Sequence, residues 1–273
     1  MKLRLLAVVC ALALGMFVPA STVAASAAPL YYVSLGDSLA AGTQPGHFST
    51  TEGYTYQLYA HLRATMPTLQ HVQLACPGET TTSLISGGLA YEGRNPRTPD
   101  GRCPYPRGSQ LAEATSFLRA HRRFVTLVTI DIGGNDILRD PANGGFAVAA
   151  NLPVILAALR EAAGPGVPII GMNYYDPLVV TWFSDPTSLP VEVARADVFN
   201  DLLEGIYAAA GDPVADVETA FSTLDTTPVN GIPLDVARIC AWTWMCAPAP
   251  VGPNIHANAA GYAVMAAAFE AKL

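Results

Sequence analysis

Lysine is nearly absent from this chain: among 273 residues only Lys2 and Lys272 carry an ammonium group. Charge as a whole is sparse, at 14% of side chains, against roughly 25% in an average soluble domain. The balance is acidic, 15 Lys+Arg against 22 Asp+Glu for a net −7. That balance argues against a nucleic-acid binder, which needs a basic face to displace counterions from phosphate. The chain has no GxGxxG or P-loop, no H-x-H, HExxH or C-x-x-C, and no Cys/His cluster, so neither a nucleotide cofactor nor a metal is implied. Internal repeats, charge runs and low-complexity linkers are missing as well. One apolar stretch, at the start, approaches membrane length. Hydrophobic residues make up 51% of the chain and recur in compact blocks, which excludes disorder.

Lys2 and Arg4 precede an apolar run over residues 5–20, followed by small residues over 21–28. Basic start, apolar middle and Ala-rich cleavage zone are the three parts of a secretory signal, here residues 1–27. A transmembrane anchor is the competing reading, but the run is short for ~30 Å of hydrocarbon, and Gly15 and Pro19 interrupt it. Cys10 lies inside the run without a small residue before it, which does not fit a lipoprotein signal. Loss of Lys2 and Arg4 with the signal takes the net charge from −7 to −9 and leaves residues 28–273 as a single domain. That domain keeps Cys76, Cys103, Cys240 and Cys246. Four cysteines in an exported chain allow three pairings; the sequence-local set, Cys76–Cys103 and Cys240–Cys246, is the simplest, with free buried thiols as the alternative.

Strand-like runs are expected at 31–35, 72–75, 124–132, 167–172 and 213–217. Helical spacing covers 54–66, 111–122, 146–163, 191–210 and 257–271, with Pro153 near the start of one helix or kinking it. Residues 86–108 hold Gly87, Gly88, Pro96, Pro99, Pro104 and Pro106 and read as a long loop tethered at Cys103. Apolar strands alternating with helices give an α/β protein, a three-layer α/β/α sandwich around a mainly parallel sheet. Ligands of such sheets bind beyond the carboxyl ends of the strands.

Those ends carry the candidate residues. Ser38 follows the first strand in Gly36-Asp37-Ser38-Leu39, where it is equally suited to capping a helix. Cys76-Pro77-Gly78 follows the second strand and offers an uncluttered backbone N–H, or is an ordinary turn. Gly133-Gly134-Asn135-Asp136 ends the third, where Asn135 either aims its amide at an oxyanion or makes a local Asx turn. His256 directly precedes the final helix in Asn254-Ile255-His256 and is either a base or a surface residue. The other histidines, His47, His61, His71 and His121, read as surface positions, although His47 also lies near Ser38. Trp242 and Trp244 either wall a pocket or pack in the core. Arg94, Arg97, Arg102 and Arg107 make the long loop locally basic.

In this order the blocks resemble the SGNH, or GDSL, hydrolase family, and with the signal and cysteines they are most similar to its secreted actinobacterial lipases and esterases. The resemblance implies a flavodoxin-like SGNH fold and a serine esterase or lipase without cofactor. Ser38 would be the nucleophile and His256 the general base, with Ser38 N–H, Gly78 N–H and the Asn135 amide forming the oxyanion hole. The departure is Asn254 in place of the family's Asp. Three outcomes stand: the amide oxygen accepts the imidazole N–H, a backbone carbonyl from 241–250 does so, or the acid is lost and activity is weak. Rival readings are a carbohydrate O-acetylesterase, a phospholipase, or a secreted binding protein. The expected partner is a small-molecule or lipid ester. No nucleic acid and no integral membrane segment after signal removal are expected, and the protein is expected to act as an extracellular monomer.

Overall fold

The computed structural model describes residues 28–89, 103 and 105–273. The expected signal segment, Arg94, Arg97, Arg102 and most of the 86–108 loop lie outside the described residues. The sheet strands are β1 (Leu30–Gly36), β2 (Leu69–Gln73), β3 (Val125–Asp131), β4 (Ile169–Met172) and β5 (Val214–Ala215). They run parallel in the order β2-β1-β3-β4-β5. Val33 sits beside Val72 on one side and Val128 on the other. Both faces are covered, so Val33, Leu35, Val128 and Ile130 are fully buried and the strands read as continuous apolar runs.

Chain order sets the layers. From β1 the chain steps one way to β2 through α1 (Tyr54–Thr65), then back past β1 to β3 and onward to β4 and β5. Right-handed crossovers in opposite directions place their helices on opposite faces. Accordingly α3 (Gln110–His121), α5 (Gly144–Ala163) and α6 (Leu189–Ala210) pack side by side, while α1 packs with the last helix. Tyr54 of α1 stacks on Phe269 there, ring centroids 4.7 Å apart. The reversal occurs between β1 and β3, and a crevice opens beyond their carboxyl ends.

The remaining elements are α2 (Thr81–Ser86), α4 (Gly134–Arg139), the 3₁₀ turns Pro177–Phe183 and Pro186–Ser188, and α7 (Val217–Ala220); α4 and the first of the 3₁₀ turns line the crevice. A small hairpin, β6 (Pro228–Val229) with β7 (Ile232–Pro233), precedes α8 (Leu234–Trp242). β8 (Thr243–Trp244) pairs antiparallel with β9 (Asn254–Ala257), and α9 (Ala259–Glu270) ends the fold. His256 therefore lies within a short strand rather than directly before the final helix, which begins after Asn258, whose Oδ1 accepts from Ala260 and Gly261 N–H. β2 starts at Leu69, ahead of the expected 72–75, although Leu74 and Cys76 N–H groups still bond to Ser34 and Gly36 carbonyls. Pro168 delays β4 to Ile169, since proline cannot donate to a ladder. Pro153 lies inside α5.

Disulfides join Cys76 to Cys103 and Cys240 to Cys246. By length and composition alone α5 could cross a membrane, the single such helix among the described residues. Its Val148, Leu152, Ile155 and Leu159 are fully buried, as in a core helix.

Candidate active site

β1 must turn sharply against the end of β3. Gly36 has φ +132°, and a Cβ there would lie 2.0 Å from Asp131 Oδ1, so the position admits only glycine. Gln110 locks this turn from α3: its Oε1 accepts Gly36 N–H at 2.7 Å and its Nε2 donates to Gly36 O at 3.0 Å. Beyond it the chain curls, with Ala41 N–H bonded to Asp37 O and Thr43 N–H to Ser38 O. No helix starts here for Ser38 to cap: the segment is a turn, in which Asp37 Oδ1 accepts Leu39 N–H at 2.9 Å. Ser38 is half-buried and lines the cavity over the crevice.

Beneath Ser38 two carboxyls meet. Asp131 accepts Ala40 N–H at 3.1 Å and Tyr54 O–H at 3.0 Å, and both Asp37 and Asp131 are buried. Burial and the neighbouring Asp37 charge push Asp131 well above the usual carboxylate range, while burial lifts Asp37 to about 6. One proton shared by the pair relieves the repulsion.

On the β3 side, Gly133 occupies the N-cap position of α4 and makes no side-chain cap. Asn135 is thus freed from local turn duty: its Nδ2 donates to Glu79 O at 3.0 Å and to Asp37 Oδ2 at 3.3 Å. Asp136 accepts Thr81 N–H at 2.9 Å and Thr81 O–H at 2.6 Å, pinning α2 to α4. This holds the Cys76–Glu79 turn beside Asn135. Gly78 takes φ +80°, and its carbonyl accepts from Arg139 Nη2 at 2.7 Å. Among the described residues nothing accepts from the backbone N–H of Ser38 or Gly78. Gly78 itself is not part of the cavity wall. Glu79, buried beneath the turn, takes donors from Ser83 and Gln110, and burial lifts its carboxyl to about 7.

His256 arrives on β9. Asn254 Oδ1 accepts its backbone N–H at 3.0 Å and contacts its Nδ1 at 2.6 Å. An atom that takes a backbone N–H is the amide oxygen, so Nδ1 carries the proton and Nε2 keeps its lone pair. Asn254 stands two residues before His256, where the Asp-x-x-His spacing would fall on Pro253. The amide is therefore an Asx-type local acceptor rather than a straight replacement of the acid. The carbonyls flanking His256 are held too: Tyr175 O–H donates to Ile255 O at 2.7 Å, and Gln44 Nε2 donates to Ala257 O at 3.2 Å. Burial drives the His256 imidazole down to about 4, with no ionised partner to offset it.

Ser38, Asn135 and His256 line one cavity of about 800 Å³, counting its open mouth, together with Ile137, Tyr174 and Phe199. Neither tryptophan joins it. Trp242 packs edge-on against Phe221 under Arg238, and Trp244 Nε1 donates to Gln44 Oε1 at 2.8 Å. His47 is exposed and outside the wall. His61 is exposed beside Glu270. His71 is no surface residue: it stacks on Tyr32 and bonds Ser34 Oγ at 2.8 Å. His121 is half-buried against Phe117, and Arg107 pairs with Glu113. Away from the cavity, carboxylates of Glu204, Asp216 and Glu218 gather within 4.8 Å, where Asn173 and Asn200 amides bind them. Sequence reasoning missed Gln110, Gln44, Tyr175 and Glu79, which carry no motif and act only through long-range contacts.

A parallel α/β sheet whose reversal point gathers a serine, an asparagine and a histidine on one cavity is the SGNH hydrolase fold. The chain belongs to the GDSL-like lipase/acylhydrolase family, whose profile matches residues 34–264. Among solved structures it is similar to an extracellular lipase from Streptomyces rimosus, at 18% identity and TM-score 0.57 over 89% of this chain and 100% of that one. A phospholipase A1 from Streptomyces albidoflavus is 19% identical, TM-score 0.52, over 90% of this chain and 100% of that one. An acetylxylan esterase from Geobacillus stearothermophilus is 17% identical, TM-score 0.52, over 89% and 93%. Comparison with curated protein sequences gives no match.

Proposed function

We propose that this chain is an exported serine hydrolase of carboxylic esters, acting through an acyl-enzyme on Ser38, with residues 28–273 as one catalytic domain. The observation that carries the reading is the meeting of Ser38, Asn135 and His256 on one cavity, with the His256 Nε2 lone pair left available by the Asn254 contact. Nε2 takes the Ser38 proton as Oγ bonds to the ester carbonyl carbon. The carbonyl oxygen becomes an oxyanion received by Ser38 N–H and by Asn135 Nδ2–H, which exchanges its longer contact to Asp37 for the substrate, while Gly78 N–H stands on the adjoining turn outside the cavity wall. Collapse breaks the bond to the alcohol, which leaves with the proton from Nε2. Water then repeats the cycle on the acyl-enzyme and releases the acid. Two disulfides and the apolar start of the chain support export into an oxidising compartment.

A fluorophosphonate probe on folded protein tests the nucleophile. Labelling of Ser38 is expected, along with p-nitrophenyl ester turnover that falls at least ~1000-fold in Ser38→Ala. A folded wild-type protein that neither labels nor turns over would instead be a binding protein on this scaffold.

A further inference from the structure

The cavity extends beyond the catalytic residues as a slot between α4, the Pro177–Phe183 turn and the first half of α6. Under the proposed function, the leaving alcohol must lie beside His256 Nε2 to receive its proton. Most of the slot wall comes instead from the segments after β3 and β4, with only Ile255 and His256 from β9, so it is assigned to the acyl side of the ester. Its inner end is fixed by Phe199, whose ring lies 3.3 Å from where a Gly133 Cβ would stand. The apolar part of the wall is Ile137 and Leu138 of α4, Pro177 and Leu178, and Ala196 of α6.

The outer end is ionic. Glu192 and Arg195 pair at 2.9 Å, their side chains 14% and 52% exposed, and Asp176 lies beside them on the same wall. On α6, Arg195 and Ala196 stand about one turn from Phe199 and Glu192 about two, roughly 5 to 10 Å at 1.5 Å per residue. An extended hydrocarbon chain advances about 1.25 Å per carbon, so roughly four to eight carbons span this distance. Within the slot each added methylene leaves water and strengthens kcat/KM by at most roughly fourfold. A methylene pressed on the ion pair would strip hydration from charges without replacing it.

We propose that the slot makes this protein selective for esters of short-to-medium apolar acids, about four to eight carbons, with the Glu192–Arg195 pair setting the limit. The inference rests on the esterase reading. Its test is a p-nitrophenyl ester series from acetate to palmitate, in which the alcohol is constant and only the acyl chain varies. The expected kcat/KM peaks between butyrate and octanoate, with palmitate at least tenfold below the peak. Replacing the pair together, Glu192→Leu with Arg195→Leu, is expected to raise the decanoate-to-butyrate ratio at least tenfold. Filling the slot with Ala196→Phe should lower the octanoate-to-acetate ratio by a similar factor. A rise that continues to palmitate, cleavage of acetate alone, or a length profile unmoved by both variants overturns the proposal. If Ser38 labels and esters turn over without a length optimum, the slot assignment alone falls; if nothing labels or turns over, the esterase reading falls with it.

Discussion

His256 takes its Nδ1 contact from an amide, and this changes what the imidazole can do with pH. A carboxylate partner would stabilise the imidazolium; Asn254 supplies a hydrogen bond without charge, and burial is left to hold the ring at about 4. In the proposed mechanism His256 acts when neutral, so the protonation that removes it requires pH to fall through about 4. The His256-dependent acid limb of kcat/KM is therefore expected near that value, and Asn254→Asp is expected to move it upward toward neutrality. A wild-type limb at pH 6 to 7 that Asn254→Asp leaves in place would contradict the assignment. Asn254→Ala keeps the imidazole but loses its orienting acceptor. A fall in kcat of roughly 10- to 100-fold with little change in KM is the expected result of losing such an orienting contact.

At the scale of elements, His256, the proposed base, depends on β9, a four-residue strand in a two-stranded pairing. So short a ladder is a poor support by itself, and side chains from elsewhere reinforce it. Tyr175 and Gln44 grip the carbonyls on either side of His256, and Trp244 holds Gln44 from β8. Tyr175→Phe removes one grip while leaving the ring stacked on Phe221, centroids 4.6 Å apart. It is expected to lower kcat by about tenfold at a stability cost of about 1 kcal/mol. Loss of kcat in protein that is still fully folded at the assay temperature, with melting lowered by only about 2 to 4 °C, separates positioning from folding, and an unchanged kcat would refute the role. β9 also marks where the sequence stops being legible. β1, β3, α3, α5 and α6 announce themselves because burial on both sheet faces or on a helix stripe writes a long apolar pattern. β8 and β9 are two and four residues long and exist only through pairing; α8 is enclosed between Pro233 and Thr243 and has too few turns for periodicity to separate it from loop. The site divides in the same way. Ser38, Asn135 and His256 are readable as polar residues at chain turns, whereas Gln110 looks like any glutamine opening a helix until its contact with Gly36, 74 residues away, is known.

The whole molecule combines few charges with several buried acids, and its stability should respond to pH accordingly. The Cys76–Cys103 bond closes a separation of 27 residues, so its removal by a double Cys→Ser change is expected to cost about 3 kcal/mol. Protonation acts on a similar scale. Burial lifts Asp37 and Asp176 to about 6 and Glu79 to about 7. An acid whose folded pKa is raised favours the native state when protonated, and that contribution disappears as pH rises through the folded value. These three groups therefore destabilise the fold between about pH 4 and 7. His256 works in the opposite sense: its folded value is depressed to about 4 from 6.5, so unfolded chains take up the proton first as pH falls through that interval. Three buried acids outweigh one buried base, and acidification also relieves the self-repulsion of an acidic chain. Thermal unfolding is expected to occur at least about 5 °C higher at pH 5 than at pH 8, with stability declining again below about pH 4, where Asp140, Asp185 and Asp225, held below the usual carboxylate range by hydrogen bonds, take up protons. Differential scanning calorimetry across that range gives the measurement, and Glu79→Gln should flatten the rise by removing the group that titrates highest. A melting temperature that falls steadily from pH 8 to pH 5 would mean that Asp37, Asp176 and Glu79 enter the fold ionised.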